Sequence, residues 1–150
     1  MTGVILSGGK NLRMGENKAF LLVDGERLID RTVRLFRAIF QQVIIVTASP
    51  LDYLDQQATI VTDILPEKGA LGGLYTGLFF ALDEYIFVAA CDMPFLRPAL
   101  VARLIDLSSA SDACVPLVDG FAMTTCAVYN PAVADVADAL VAERHLRLRF

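Results

Sequence analysis

The chain has 150 residues and a formal net charge of −4, with 55% hydrophobic and 20% charged side chains. That size predicts one domain, residues 1–150, with a sizeable core. The acidic balance argues against broad nucleic-acid binding, and no apolar run approaches the roughly 18–20 residues that span a membrane.

Taken in order, residues 3–7 (GVILS) read as a first strand and 28–40 as a helix, with Ile29, Val33, Phe36 and Phe40 on one face. Arg31, Arg34 and Arg37 stay off that face and read as its solvated side. Strands follow at 42–48 and 59–62, a helix at 71–82, a strand at 85–91 and a helix at 98–107 that starts on Pro98. Residues 112–118 read as a strand, 124–130 as a weaker one, and 131–143 as a last helix. The strands are apolar nearly throughout, so both faces are expected to be covered, as in a parallel sheet between helices. The 71–82 helix combines Leu71, Leu74, Leu78 and Leu82 with Tyr75, Phe79 and Phe80, and is expected to be buried or packed on a neighbour. The pattern is α/β, with a mainly parallel sheet built from right-handed crossovers and another helix expected between the second and third strands.

Three cysteines, Cys91, Cys114 and Cys126, lack a C-x-x-C pair, which argues against a disulfide framework or a zinc site. They read as small buried hydrophobes. His145, the single histidine, has no obvious partner, so histidine catalysis is disfavoured. The N-terminus shows no signal-peptide pattern, and a cytoplasmic, non-membrane protein is expected.

Ligands of such sheets lie beyond the carboxyl ends of the strands, so loops that follow strands carry the most weight. In LSGGKNLRMGENK (6–18), Gly8 and Gly9 allow close backbone approach to a base or phosphate, and Arg13 and Lys18 can neutralise a polyphosphate. The spacing fits neither G-x-G-x-x-G nor the P-loop, which disfavours a dinucleotide-binding oxidoreductase. In TDILPEKGALGGLYTG (62–77), Asp63 can accept a hydrogen bond from a nucleoside, and Gly69, Gly72 and Gly73 lead into a helix N-terminus. In VAACDMPF (88–95), Asp92 stands at the mouth of a buried strand, a suitable hard ligand for Mg²⁺. Each loop taken alone also fits an ordinary turn.

Together, LSGGKNLRMGENKAFL, DILPEKGALGGL and CDMPFL resemble the molybdenum cofactor guanylyltransferases, MobA-like nucleotidyltransferases of glycosyltransferase-A-like fold. The first matches that family's L-A-G-G-x-x-x-R-M-G-x-x-K pattern, and the likeness runs from Gly3 to about residue 107. It implies a three-layer α/β/α, Rossmann-like fold of the nucleotide-diphospho-sugar transferase type. The implied activity is transfer of GMP from GTP to the phosphate of molybdopterin, with Mg²⁺ as cofactor and pyrophosphate released. Carried over, Leu6, Ser7, Gly8 and Gly9 would approach the nucleotide through backbone groups, and Lys18 and Arg13 would neutralise the phosphates. Asp63 and Thr47 would hold the nucleoside, Gly72 and Gly73 would line its site, and Asp92 would bind Mg²⁺. The Gly8-Gly9 pair is similar to the guanine-using members, since a missing Cβ leaves room for a purine. Residues 120–130 lack the Gln/His-Pro feature that relatives carry near the acceptor. Alternatives are a CTP- or sugar-phosphate-directed transferase, or a non-catalytic GTP-binding module that docks on other cofactor-assembly proteins.

Overall fold

Strand β1 (Thr2–Ser7) is buried along its whole length, and the rest of the sheet is laid out from it. Strands β4 (Val43–Thr47) and β6 (Ile86–Ala90) flank it in parallel, and β5 (Thr59–Thr62) extends the β4 side in parallel. On the other side β10 (Cys126–Tyr129) pairs antiparallel with β6, and β7 (Ala113–Cys114) antiparallel with β10. The order is β5-β4-β1-β6-β10-β7. The computed structural model describes residues 1–8, 17–65, 68–109 and 111–142. Gly9, Lys10, Arg13 and His145 lie outside the described residues.

Alternation along the strands makes two cores. Ile5, Val43, Ile45, Phe87 and Ala89 point to one face, with Ile29, Val33 and Phe36 of α1 (Leu28–Arg37) and Val101 and Leu104 of α3 (Pro98–Leu107). Val4, Leu6, Ile44, Val46, Ile86 and Val88 point to the other, with Leu74 of α2 (Gly69–Phe80) and Val133 of α4 (Ala132–Ala142). The result is the expected three-layer arrangement. Each such large apolar side chain contributes on the order of 1.5–3 kcal/mol through burial. Helix α2 lies close on β1 because glycines face it: a Cβ on Gly77 would sit 2.7 Å from Val4 Cγ1, and one on Gly73 3.0 Å from Leu6 Cδ2.

Several expectations need correction. The 112–118 run is two strands: β7 stays in the sheet, whereas β8 (Leu117–Val118) leaves it to pair with β9 (Phe121–Ala122). Pro116 lacks the N–H that a continuous ladder needs. The weaker candidate at 124–130 proves to be β10, buried at every position. The crossover from β4 to β5 holds a 3-10 turn at Pro50–Tyr53 in place of an α-helix. Helix α2 does pack on a neighbour, as expected, meeting the sheet and α4 on one side. Phe79 is 66% exposed, and Leu82 falls beyond the helix end. Two hairpins went unread, β2–β3 (Leu22–Val23 with Glu26–Arg27) and β8–β9. Both turn on Asp-Gly with positive φ at each residue (53° and 80° at Asp24-Gly25, 51° and 81° at Asp119-Gly120), the type I′ geometry that matches strand twist.

Candidate active site

From β1 the chain moves outward on one side, to β4 and β5, then returns to the other side of β1 as β6. The carboxyl ends of β1 and β6 thus border a topological switch point, where open α/β sheets leave a crevice for ligands. Ser7 and Gly8 end β1 there, and Asp92 follows β6 through a turn whose Cys91 N–H donates to Leu6 O at 3.0 Å. Lys18 opens a 3-10 turn, Lys18–Phe20, that returns to this edge.

Lys18 and Asp92, distant in sequence, meet here: Lys18 Nζ lies 3.8 Å from Asp92 Oδ2, with the side chains 48% and 47% exposed. A half-exposed pair is worth little as a stabilising bridge. Its value is chemical, because the ammonium can swing to a phosphate and leave the carboxylate to other donors. Gly8 is exposed, and a Cβ there would meet no atom within 4 Å, so its backbone stands open to a ligand.

The second loop is held mainly by its own contacts. Asp63 Oδ1 accepts from Leu65 N at 2.9 Å and from Thr76 Oγ1 at 3.0 Å, while Thr76 Oγ1 accepts from Ile64 N at 3.1 Å. Gly72 and Gly73 are buried, and the space that their missing Cβ atoms leave is filled by protein. A Cβ on Gly72 would lie 2.6 Å from Leu65 O and 3.3 Å from Asp63 Oδ1, and one on Gly73 would meet Leu6. Their first duty is therefore to seat the loop and α2 on β1. Thr47, at the end of β4, is buried, and its Oγ1 accepts from Ser49 N at 3.2 Å. Gly69 takes φ +61° with open space around it, and the first amides of α2 point out beside this loop.

Beneath the edge lies a polar cluster that the sequence reading missed. Ser7 Oγ and Tyr53 Oη are 2.6 Å apart, and Asn17 Nδ2 donates to the same Oη at 2.8 Å. Burial pushes the Cys91 thiol above its ordinary range, and a hydrogen bond with Ser7 opposes that shift. At pH 7 Cys91 is a protonated, packed thiol, as expected from its apolar surroundings. The third loop is braced from α1: Arg31 Nη1 donates to Pro94 O at 3.3 Å, while Glu26 pairs with Arg31 and Arg34. The arginines of the solvated face thus partly serve as struts.

A glycine-bearing strand end, an exposed cation and a hard carboxylate stand together at the switch point of a parallel sheet, a combination that suits a nucleotide-dependent transferase. Residues 3–149 match the family described as MobA-like NTP transferase domain. The chain belongs to that family, and it is a nucleotidyltransferase. It is 38% identical over 148 residues to a molybdenum cofactor guanylyltransferase of Desulfosudis oleivorans, covering 97% of this chain and 71% of that protein. A probable molybdenum cofactor guanylyltransferase of Peptoclostridium acidaminophilum is 36% identical over 123 residues, which is 77% of this chain and 56% of the relative. Among solved structures, molybdopterin-guanine dinucleotide biosynthesis protein A from Archaeoglobus fulgidus superposes with a TM-score of 0.79 at 25% identity. That match covers 96% of this chain and 74% of that one. The chain thus spans between about half and three quarters of these proteins.

Proposed function

We propose that this chain transfers GMP from GTP to the phosphate of molybdopterin, releasing pyrophosphate. The observation that carries the reading is the convergence of Lys18 and Asp92 across the β1/β6 switch point, beside the open backbone of Gly8. The sequence likeness to proteins named molybdenum cofactor guanylyltransferase supports the choice of nucleotide and acceptor.

The attacking phosphate is already ionised, so the protein needs no nucleophile of its own and no strong base. Its work is to align the acceptor with the α-phosphorus and to offset charge on the leaving pyrophosphate. Gly8 lets the nucleotide approach the β1 end closely, Lys18 supplies positive charge to the phosphates, and Arg13 is proposed to do the same. Asp63, already bonded to Leu65 and Thr76, retains its second carboxylate oxygen as an acceptor for the nucleoside.

Mg²⁺ is the metal proposed, held by Asp92. Among the described residues no three His, Cys, Asp or Glu side chains group to hold a metal. A single half-exposed carboxylate suits Mg²⁺, which keeps several waters and takes its remaining oxygens from substrate phosphates. When bound, it would polarise phosphate oxygens and neutralise developing charge.

Strand direction supports a choice of acceptor side. Strand β7 runs parallel to β6 because both oppose β10. The β8–β9 hairpin after β7 therefore leaves at the Asp92 edge, carrying Leu117, Val118 and Phe121 at 71%, 52% and 75% exposure. We place the pterin against this apolar tip. The three free cysteines suit the cytoplasmic setting we propose, and among the described residues no helix is long and apolar enough to cross a membrane. A pyrophosphate-release assay with molybdopterin and Mg²⁺ tests the reading. Turnover with GTP well above CTP is expected. Preference for CTP or a sugar phosphate, or GTP binding without turnover, would overturn it.

A further inference from the structure

We infer that Tyr53 is a positioning residue of the nucleotide site: its hydroxyl ties the end of β1 to the residue before Lys18 and so sets the turn from which the Lys18 ammonium reaches the phosphates. The inference rests on the nucleotidyl-transfer reading above.

Tyr53 is fully buried, and its ring packs against Phe20 with centroids 5.1 Å apart. A phenylalanine would meet that packing need equally well, and a buried phenol is costly unless its oxygen is paired. Both partners of the oxygen belong to the site. Ser7 ends β1, and Asn17 immediately precedes Lys18. Asn17 uses its other amide atom as well, since Oδ1 accepts from Ala19 N at 3.1 Å and caps the turn that presents Lys18. One side chain thereby fixes the turn to itself and to Tyr53.

The Tyr53 oxygen joins two partners: Asn17 N–H donates to it, and it shares a hydrogen bond with Ser7 Oγ in which either hydroxyl can donate. The line joins the residue before Lys18 to the end of β1, where Leu6 O accepts from the N–H of Cys91, the residue before Asp92. Tyr53 itself sits on a braced segment. Gln56 N donates to Tyr53 O at 2.9 Å, and Arg27 bridges Asp30 of α1 to Asp55. The crossover between β4 and β5 thus works as a post for the turn that starts at Asn17, although it contributes no group to the substrate.

The test is a double-mutant cycle on GTP affinity in the full chain, read by calorimetry with Mg²⁺. Tyr53→Phe is expected to weaken GTP about tenfold, the scale of one lost hydrogen bond with a buried partner left unpaired. In a Lys18→Met background the same change is expected to cost less than about twofold, because the cation it positions is gone. Tyr129→Phe is the matched control: it removes another buried hydroxyl, bonded to Thr124 O at 2.7 Å, and should leave GTP affinity unchanged. Should Tyr53→Phe fail to fold, Asn17→Leu cuts the same tether from the loop side and is expected to give the same tenfold loss. Unchanged affinity in Tyr53→Phe, or an equal loss with and without Lys18, overturns the positioning role. Failure of the wild-type chain to bind GTP overturns the nucleotidyl-transfer reading instead, and this inference with it.

Discussion

From β5 to β6 the strands run parallel and end in loops held by hydrogen bonds and charges. From β10 to β7 they are antiparallel and lead into a hairpin whose tip is exposed and apolar. The two regions share an edge but differ in how they are organised. In the first, the backbone around the functional groups is braced by side chains: Asp63 bonds Leu65 and Thr76, Asn17 bonds Tyr53 and Ala19, and Arg31 bonds the loop after Asp92. In the second, Leu117, Val118 and Phe121 are carried on a short paired hairpin closed by a two-residue turn, and their side chains are largely exposed. Phosphates need charge placed to within an ångström, whereas a flat, mostly apolar ring system needs surface. On the proposed function, the parallel half is the nucleotide half and the hairpin the acceptor half.

The largest expected effect comes from Asp92→Asn. On the proposed role it should lower Mg²⁺-dependent pyrophosphate release by at least about a hundredfold. Asp92 is 47% exposed and paired only loosely with Lys18, so the melting temperature should stay within a few degrees. Unchanged turnover would remove the metal role from the nucleotide half, and with it the main chemical contrast.

Next comes a pair of glycines. Gly72→Ala pushes a Cβ to 2.6 Å from a backbone oxygen, Leu65 O, which cannot swing aside as a side-chain tip would. Overpacking of this kind costs about 1–3 kcal/mol, part of which alanine's better helix propensity recovers, by up to about 1 kcal/mol. A net loss of about 1–2 kcal/mol in urea unfolding is expected. Gly8→Ala enters open space and should change stability by less than about 0.5 kcal/mol while weakening GTP. Equal stability effects at the two positions would show that both glycines serve the fold alone.

Phe121→Ser sharpens the division between halves. Phe121 is 75% exposed, so stability should hold. The KM for molybdopterin should rise about fivefold from lost apolar contact, with GTP affinity unchanged. A change in GTP affinity instead would mean that the hairpin belongs to the nucleotide half.

Much of the parallel half was legible because its signals are local. Uninterrupted apolar runs mark doubly covered strands, and the three motif loops each follow one. The Lys18–Asp92 pairing follows once topology brings those loops together. What stayed hidden was relational. Nothing near Tyr53 in the sequence shows that its hydroxyl faces Ser7 and Asn17, and nothing in ALGGLY shows that Gly72 and Gly73 clear space for Leu65 and Leu6 in place of a ligand. The missed hairpins are a different matter. Asp24-Gly25 and Asp119-Gly120 between short apolar runs are a strong hairpin signal, and it was available. The same signal, with Pro116 three residues before Asp119, marks where the 112–118 run turns out of the sheet.

The smallest effect is an acid-dependent one, and it concerns the post beneath the nucleotide half. Arg27 hydrogen-bonds Asp30 and Asp55, which holds both carboxyls below the ordinary carboxylate range, while burial pushes the other way. Asp30 also accepts from Gln56, whose N–H bonds Tyr53 O. A carboxylate with a lowered folded-state pKa binds protons more readily when unfolded. Its contribution is therefore present above the unfolded value of about 4 and is lost as pH falls through the lowered folded value. Solvent screens this half-exposed cluster, so Arg27→Gln should cost under about 1 kcal/mol at neutral pH. In urea unfolding at about pH 6, 4 and 3, the gap between wild type and Arg27→Gln should shrink toward the lowest pH. The β10–β7 side lacks such a charge cluster among the described residues, so amide protection factors, corrected for the intrinsic exchange rate at each pH, should fall around Tyr53 on acidification before they do in β10. A gap that stays constant with pH would mean that Arg27 holds the post by packing over Phe20, whose ring centroid is 5.6 Å from the guanidinium carbon, and not by its carboxylates.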